Sequence, residues 1–368
     1  MKIGETLTPR RTWTILVVLS MAFTALIWLL GPLVQPWYDQ LIPDKGSDWY
    51  YWKLPTRIDT TMLIVWLLYL SHQILIWGAI YWASRHLTQF KSVPSQKLTK
   101  YNYFVILVTV VFIILHVLKT VFLFDGLAQD VPIWTSQGSV ILMLVIVLII
   151  EHPRQGIILG RKAGKPFTAQ VSGFFRRNHQ YIIAWALVYT FWFHPAVNDP
   201  QLLSGFFYMF LLFTQMALAY TPIHIDRRWI VTLESWVAIH AVFVAYFNTA
   251  FPDIGSADMW PMFFSGFAFM FVFTYMYALN MKKQYRWIVT LLYIGFLVWL
   301  YLPVQLGGYG RDLSRLMMIE FLWIPIVLYG LSAVFALAAY IFLGRKKKET
   351  SSQTNKENEE LPASLPLS

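Results

Sequence analysis

Stretches of about 20 mostly apolar residues recur along the whole chain of 368 residues, separated by short polar segments. In lipid, a spanning segment must satisfy its own backbone hydrogen bonds, and a helix of about 20 residues does so. Only 13% of the residues are charged, whereas soluble domains carry roughly 25%. The sequence therefore predicts an all-α polytopic membrane protein, a bundle of about ten transmembrane helices. The predicted spans are 13–34, 60–84, 101–124, 133–151, 180–197, 203–222, 229–250, 260–281, 287–306 and 319–344.

The positions of Lys and Arg predict how this bundle is oriented. With ten spans, 23 of the 29 basic residues fall on the side that holds both termini, five fall on the other side, and Lys119 lies within a span. Short cytoplasmic loops carry an excess of Lys and Arg. We therefore predict a multi-pass protein of the cell membrane with both termini in the cytoplasm. Residues 1–344 form a single transmembrane domain, and 345–368, which are polar and contain proline, are expected to be a disordered cytoplasmic tail.

The formal net charge of +10 raises the question of partners. The basic residues stand in loops between apolar spans, so anionic membrane lipids explain them better than nucleic acid does. No nucleic acid partner is expected, and the sequence identifies no protein partner. Cysteine is absent, which excludes disulfides and thiolate-bound metal sites.

Four histidines lie well inside predicted spans: His72, His116, His194 and His240. Their heights above the cytosolic helix ends come out at roughly 16–22 Å from the rise of an α-helix, so they share one layer of the bundle. Ionisable residues inside a membrane are costly, which makes each a candidate functional residue. We predict that the four imidazoles converge on one site, although interhelical hydrogen bonding is the alternative role for each of them.

Lys119 stands one turn after His116 on the same helix face, the only Lys or Arg predicted within a span. It either holds an anionic group beside His116 or extends its amine toward the membrane surface. We take His72, His116, Lys119 and His240 as the candidate catalytic residues. His72, His116, His194 and His240 are the candidate cofactor ligands.

Two kinds of chemistry suit a histidine-lined site. Imidazole ligates haem iron and divalent metals, so a haem or a metal is a candidate cofactor. Imidazole is also a general base that activates a hydroxyl group for group transfer, such as acyl transfer. The helix count and cytosolic ends are similar to those of the broad membrane acyltransferase group that modifies surface glycans, but that group's early Arg and His motif has no counterpart in 13–34.

The leading functional prediction is an enzyme acting on a lipid-soluble or lipid-linked substrate. The alternative is a transporter of a small solute, which needs no chemistry at the histidines. Transporters often interrupt helices with Gly or Pro near the membrane midplane. Mid-span glycines are few here (Gly78, Gly266 and Gly295), which makes the transporter the second choice.

Overall fold

The computed structural model describes residues 7–41, 52–87, 94–247 and 259–359, with side chains described as far as residue 344. The part of the chain that it describes is largely helical. Its α-helices, in chain order, are α1 Pro9–Leu29, α2 Gly31–Tyr38, α3 Asp59–His86, α4 Lys100–Leu123, α5 Ile133–Gln155, α6 Ala169–Phe193, α7 Pro200–Ala217, α8 Arg227–Phe247, α9 Trp260–Phe273, α10 Lys283–Tyr301, α11 Leu313–Met317 and α12 Trp323–Glu359.

Seven helices within the described ranges are long and apolar enough to cross a membrane, and each coincides with a predicted span. They are Pro9–Leu29, Asp59–His86, Lys100–Leu123, Ile133–Gln155, Arg227–Phe247, Trp260–Ala278 and Glu320–Gly344. Large apolar side chains remain exposed on these helices, as expected of surfaces that face lipid. The chain thus has the composition and the helical architecture of a membrane protein.

The other three predicted spans, 180–197, 203–222 and 287–306, also fall on helices, but α6, α7 and α10 are less apolar. In α7, for example, Gln201 and Gln215 dilute the apolar run. Ten spans and the orientation of the termini therefore stay predictions.

Two differences from the predicted boundaries stand out. The first predicted span is interrupted after α1, and α2 begins at Gly31, where a Cβ atom would lie 2.1 Å from the side-chain nitrogen of Asn198. At the other end, α12 continues to Glu359, into the segment predicted to be disordered, and residues 360–368 lie outside the described residues. Disorder of the tail stays a prediction.

The core consists of two large clusters of buried apolar side chains. The first is built mainly from α3, α4, α6 and α7, and the second mainly from α5, α6, α7, α8, α9 and α12. Helices α6 and α7 contribute to both clusters, and α6 packs closely against α5. Because α6 and α7 pack inside the bundle, their polar side chains can be paired with protein rather than exposed to lipid.

Aspartate residues cap the N-terminal ends of α7 and α8. The Asp199 carboxylate caps α7 by accepting the backbone N–H of Gln201 at 2.8 Å, and Pro200 occupies the first helical position. Asp226 precedes α8 and accepts the backbone N–H groups of Arg228 and Trp229 at 2.9 and 3.0 Å.

Candidate functional site

His72, on α3, is completely buried in an aromatic environment. Its ring stacks on Phe112 with the centroids 4.4 Å apart and the planes 4° from parallel. The indole nitrogen of Trp192 donates a hydrogen bond to His72 Nδ1 at 3.2 Å. This bond ties α3 to α6 and requires that Nδ1 carries no proton.

His116, on α4, lies on the other side of the same aromatic residues. Its ring centroid is 4.7 Å from that of Trp192 and 4.4 Å from that of Phe191. It is fully buried, and the backbone of His194 is its hydrogen-bonding neighbour. His116 also interacts electrostatically with His72 and His194, so the structure brings three of the four predicted histidines into one neighbourhood.

His194 directly follows α6 and links this neighbourhood to the fourth histidine. Its Nδ1 is 3.1 Å from the carbonyl oxygen of Thr190 in the preceding turn. His194 interacts electrostatically with both His116 and His240. The four histidines therefore form a chain across the bundle, from α3 to α8.

This arrangement gives no support to the predicted metal site. The described residues contain no group of three or more His, Asp or Glu side chains placed to hold a metal ion. For a haem, the space around His72 and His116 is filled by Phe112, Phe191 and Trp192, and a macrocycle between the two imidazoles would have to displace them.

Lys119 is buried with 4% of its surface exposed, and its amine is directed toward the end of α4. The Nζ atom donates hydrogen bonds to the carbonyl oxygens of Phe124 and Asp125 at 3.0 and 2.5 Å. These carbonyls follow the last turn of α4, where a cation is favoured by the helix dipole. Lys119 interacts electrostatically with His116, but its hydrogen bonds go to the carbonyl groups at the end of α4.

The fourth predicted histidine has a partner that the sequence analysis did not single out. His240 Nδ1, on α8, is 2.9 Å from the hydroxyl oxygen of Ser204 on α7. The same hydroxyl is 2.8 Å from the carbonyl oxygen of Gln201. Because a hydroxyl has one proton, it donates to Gln201 when Nδ1 carries a hydrogen, and it can donate to His240 when Nδ1 is bare. The pair has the composition and distance of a nucleophile and its base.

Gly205 allows this close approach of α7 and α8. A Cβ atom at this position would lie 2.9 Å from Cε1 of His240 and 3.4 Å from its Nε2. Any other residue would thus push the imidazole ring away from α7. The backbone of α7 positions the histidine as well as the serine.

An apolar groove of about 390 Å³ lies between α1 and α7, and Ser204 itself is not among its lining residues. Leu203, the residue before Ser204, and Phe207, one turn later, form its α7 wall. Trp28 lies on its α1 wall and is 57% exposed. The ring of Phe207 also contacts Trp236 of α8 at 5.0 Å, which joins the groove to the helix that carries His240.

A second polar group lies nearer the N-terminal end of α8. Glu234 is buried at 5% exposure and Gln155 of α5 is fully buried. The two side chains contact each other, and beyond that contact neither has a hydrogen-bond partner within the described residues. The sequence signal was present, since Glu234 falls within a predicted span, but nothing local to α8 pointed to Gln155.

The comparisons with known proteins give no further guidance, since no protein-family model, curated protein or solved structure matches this chain. Function therefore has to be argued from the geometry.

Proposed function

We propose that this chain is a ten-span protein of the cell membrane, with both termini in the cytoplasm, that transfers an acyl or similar group to or from a lipid-linked substrate. The observation that supports the proposal is the 2.9 Å contact between Ser204 Oγ and His240 Nδ1, on a helix whose neighbouring residues Leu203 and Phe207 line an apolar groove. A nucleophile within hydrogen-bond reach of a base is the recurrent arrangement of covalent group transfer.

In the proposed reaction, the lipid chain of the substrate lies in the groove beside Leu203 and Phe207. The Ser204 hydroxyl attacks the carbonyl carbon of the ester, and its proton passes to His240 Nδ1. The leaving alcohol takes that proton as the acyl–serine bond forms. An acceptor hydroxyl then gives its proton to His240 and attacks the acyl carbon. The bond between that carbon and Ser204 Oγ breaks, and His240 returns the proton to Ser204 Oγ.

The remaining histidines act at a distance in this scheme. His194 and His116 interact electrostatically along the chain that ends at His240, so they are positioning residues rather than groups that touch substrate. A haem or metal, the other predicted chemistry, is tested directly by the absorption spectrum and metal content of the purified protein.

A fluorophosphonate probe tests the serine, because it reacts with serine hydroxyls that a neighbouring base activates. The wild-type protein should be labelled at Ser204, and Ser204→Ala and His240→Gln should lose the label while remaining folded. Ser20→Ala is the matched control, since Ser20 is buried and donates only to a carbonyl of its own helix in the hydrogen bonds recorded for the described residues. A wild-type protein that is folded and not labelled would contradict the proposal.

The second candidate is a transporter of a small solute. The observation that favours it is the buried carboxylate of Glu234, which has no partner other than the Gln155 amide within the described residues. Ionisable groups inside membranes mark ion and proton pathways. If His240→Gln, His116→Gln and Lys119→Met all retain activity in a complementation assay, transport becomes the better explanation.

A further inference from the structure

Outside their contact with each other, the buried side chains of Glu234 and Gln155 have no hydrogen-bond partner within the described residues. The two side chains belong to different helices, α8 and α5, and lie close enough to interact. The amide of Gln155 is uncharged, so its contact with the carboxylate cannot neutralise an ionised Glu234. Buried polar groups are almost always paired, and an exception requires an explanation.

The charged groups around Glu234 do not compensate for the burial of its carboxylate. Glu151, on α5, forms a salt bridge with Arg154 at 3.4 Å and also interacts with Arg176 and Arg227. Glu151 is thus surrounded by positive charge. Glu234, in contrast, has Glu151 as its charged neighbour, and two like charges disfavour one another. An ionised Glu234 would be a buried negative charge without a counterion, which is strongly unfavourable.

We infer that Glu234 and Gln155 form a binding site for one exchangeable monovalent cation, either a proton or an alkali metal ion. One unbalanced carboxylate calls for one positive charge, and alkali ions prefer oxygen ligands of the kind that these residues present. A divalent ion would add an excess of positive charge beside Arg154, Arg176 and Arg227. The site is separate from Ser204 and His240, since His240 lies six residues, or about 9 Å, further along α8.

Several other titratable groups border the site and bear on its pH dependence. The arginines that interact with Glu151 are Arg154 of α5, Arg176 of α6 and Arg227 of α8. The tyrosines that interact with Glu234 are Tyr208 of α7 and Tyr275 of the turn after α9, and Tyr329 of α12 lies next to Tyr275. The tyrosines and arginines keep their charge state through the neutral range. His224 interacts with Arg154, and His179 interacts with Arg176. A response near neutral pH is therefore assigned to Glu234 only where Glu234→Gln removes it.

The experiment uses the full chain in detergent with dicyclohexylcarbodiimide, an apolar reagent that modifies protonated carboxyl groups in membranes. Labelled peptides are identified by mass spectrometry across the neutral pH range, with sodium, potassium or choline as the only cation. Loss of the Glu234 label as the pH rises, regardless of the salt, identifies the proton as the ligand. Loss of the label at constant pH when sodium or potassium replaces choline identifies an alkali ion.

Two variants complete the experiment: Glu234→Gln removes the proposed site, and Glu151→Gln is its matched control. Glu234→Gln should lose the label and every response of thermal stability to pH or cation that is specific to the site. Glu151→Gln removes a buried carboxylate that already has arginine partners, so it should lower stability and keep the Glu234 response. Labelling of Glu234 that ignores both pH and cation would overturn the inference. If Glu234 is not labelled at all, the carboxyl region of the infrared spectrum decides. The inference is then also overturned if the wild-type protein has no carboxyl band that responds to pH or salt and that Glu234→Gln removes.

Discussion

At the scale of single residues, the contact between Ser204 and His240 depends on a position that has no side chain. Gly205 has no Cβ atom, and this lets the imidazole of His240 approach the backbone of α7 closely. Glycine costs about 1 kcal/mol relative to alanine inside a helix. A glycine here therefore makes sense for contact between α7 and α8 rather than for helix formation.

Gly205→Ala tests this contact. The new methyl group would meet Cε1 of His240 at 2.9 Å, and overpacking of this kind costs about 1–3 kcal/mol. We expect the ring to move, the hydrogen bond to Ser204 to break, and fluorophosphonate labelling to fall sharply. Gly295→Ala is the control, because a Cβ atom there meets nothing within 4 Å. Equal labelling of the two variants would show that the glycine does not position His240.

At the scale of an element, Lys119 holds the end of α4. The last carbonyl groups of a helix lack partners within the helix, and here the connection that follows is itself buried, with Phe124 and Asp125 at 0% and 3% exposure. Lys119 supplies hydrogen bonds to both of their carbonyl oxygens. The lysine thus stabilises the connection between α4 and α5 from inside the bundle.

Lys119→Met should therefore reduce the free energy of unfolding, by about 1–3 kcal/mol, because it leaves two buried carbonyls without their donor. The measurement is thermal or denaturant unfolding in detergent. Lys97→Met is the comparison, since Lys97 is exposed and surface substitutions usually change stability by less than about 0.5 kcal/mol. A stable Lys119→Met protein that has lost activity would instead assign Lys119 to an anionic group at the site.

At the scale of the whole molecule, the two core clusters share α6 and α7. The histidine chain follows the same route, from α3 and α4 in the first cluster to α8 in the second. The carboxylate site lies within the second cluster, between α5 and α8. The histidine chain thus depends on how the two clusters are joined, whereas the carboxylate site depends on the packing of the second cluster.

The topology of the molecule is tested by reporter fusions along the chain. Fusions after Lys97, Lys165, Lys282 and Lys348 should report a cytoplasmic location. Fusions near Lys45, Asp130, Asp253 and Arg311 should report an external one. The expectation rests on the excess of Lys and Arg on one side of the ten predicted spans. Two or more reversed reporters would be incompatible with ten spans, in particular with spans at α6, α7 and α10.

Membrane character followed from the sequence alone because apolar length is a property of consecutive residues. The seven helices that can span a membrane all coincide with predicted spans. Depth along a helix is equally local, so the sequence could place His72, His116, His194 and His240 in one layer. Their interactions run from His72 through His116 and His194 to His240, and the common layer stays a prediction.

Partnership between side chains was decided only by the tertiary structure. The direction in which a residue points around its helix depends on how neighbouring helices pack, and a count of residues from the helix end contains no such information. Ser204 was invisible as a partner until α7 and α8 were seen to meet at Gly205. Gln155 and Glu234 are 79 positions apart in the sequence, and only the packing of α5 near α8 brings their side chains to one place.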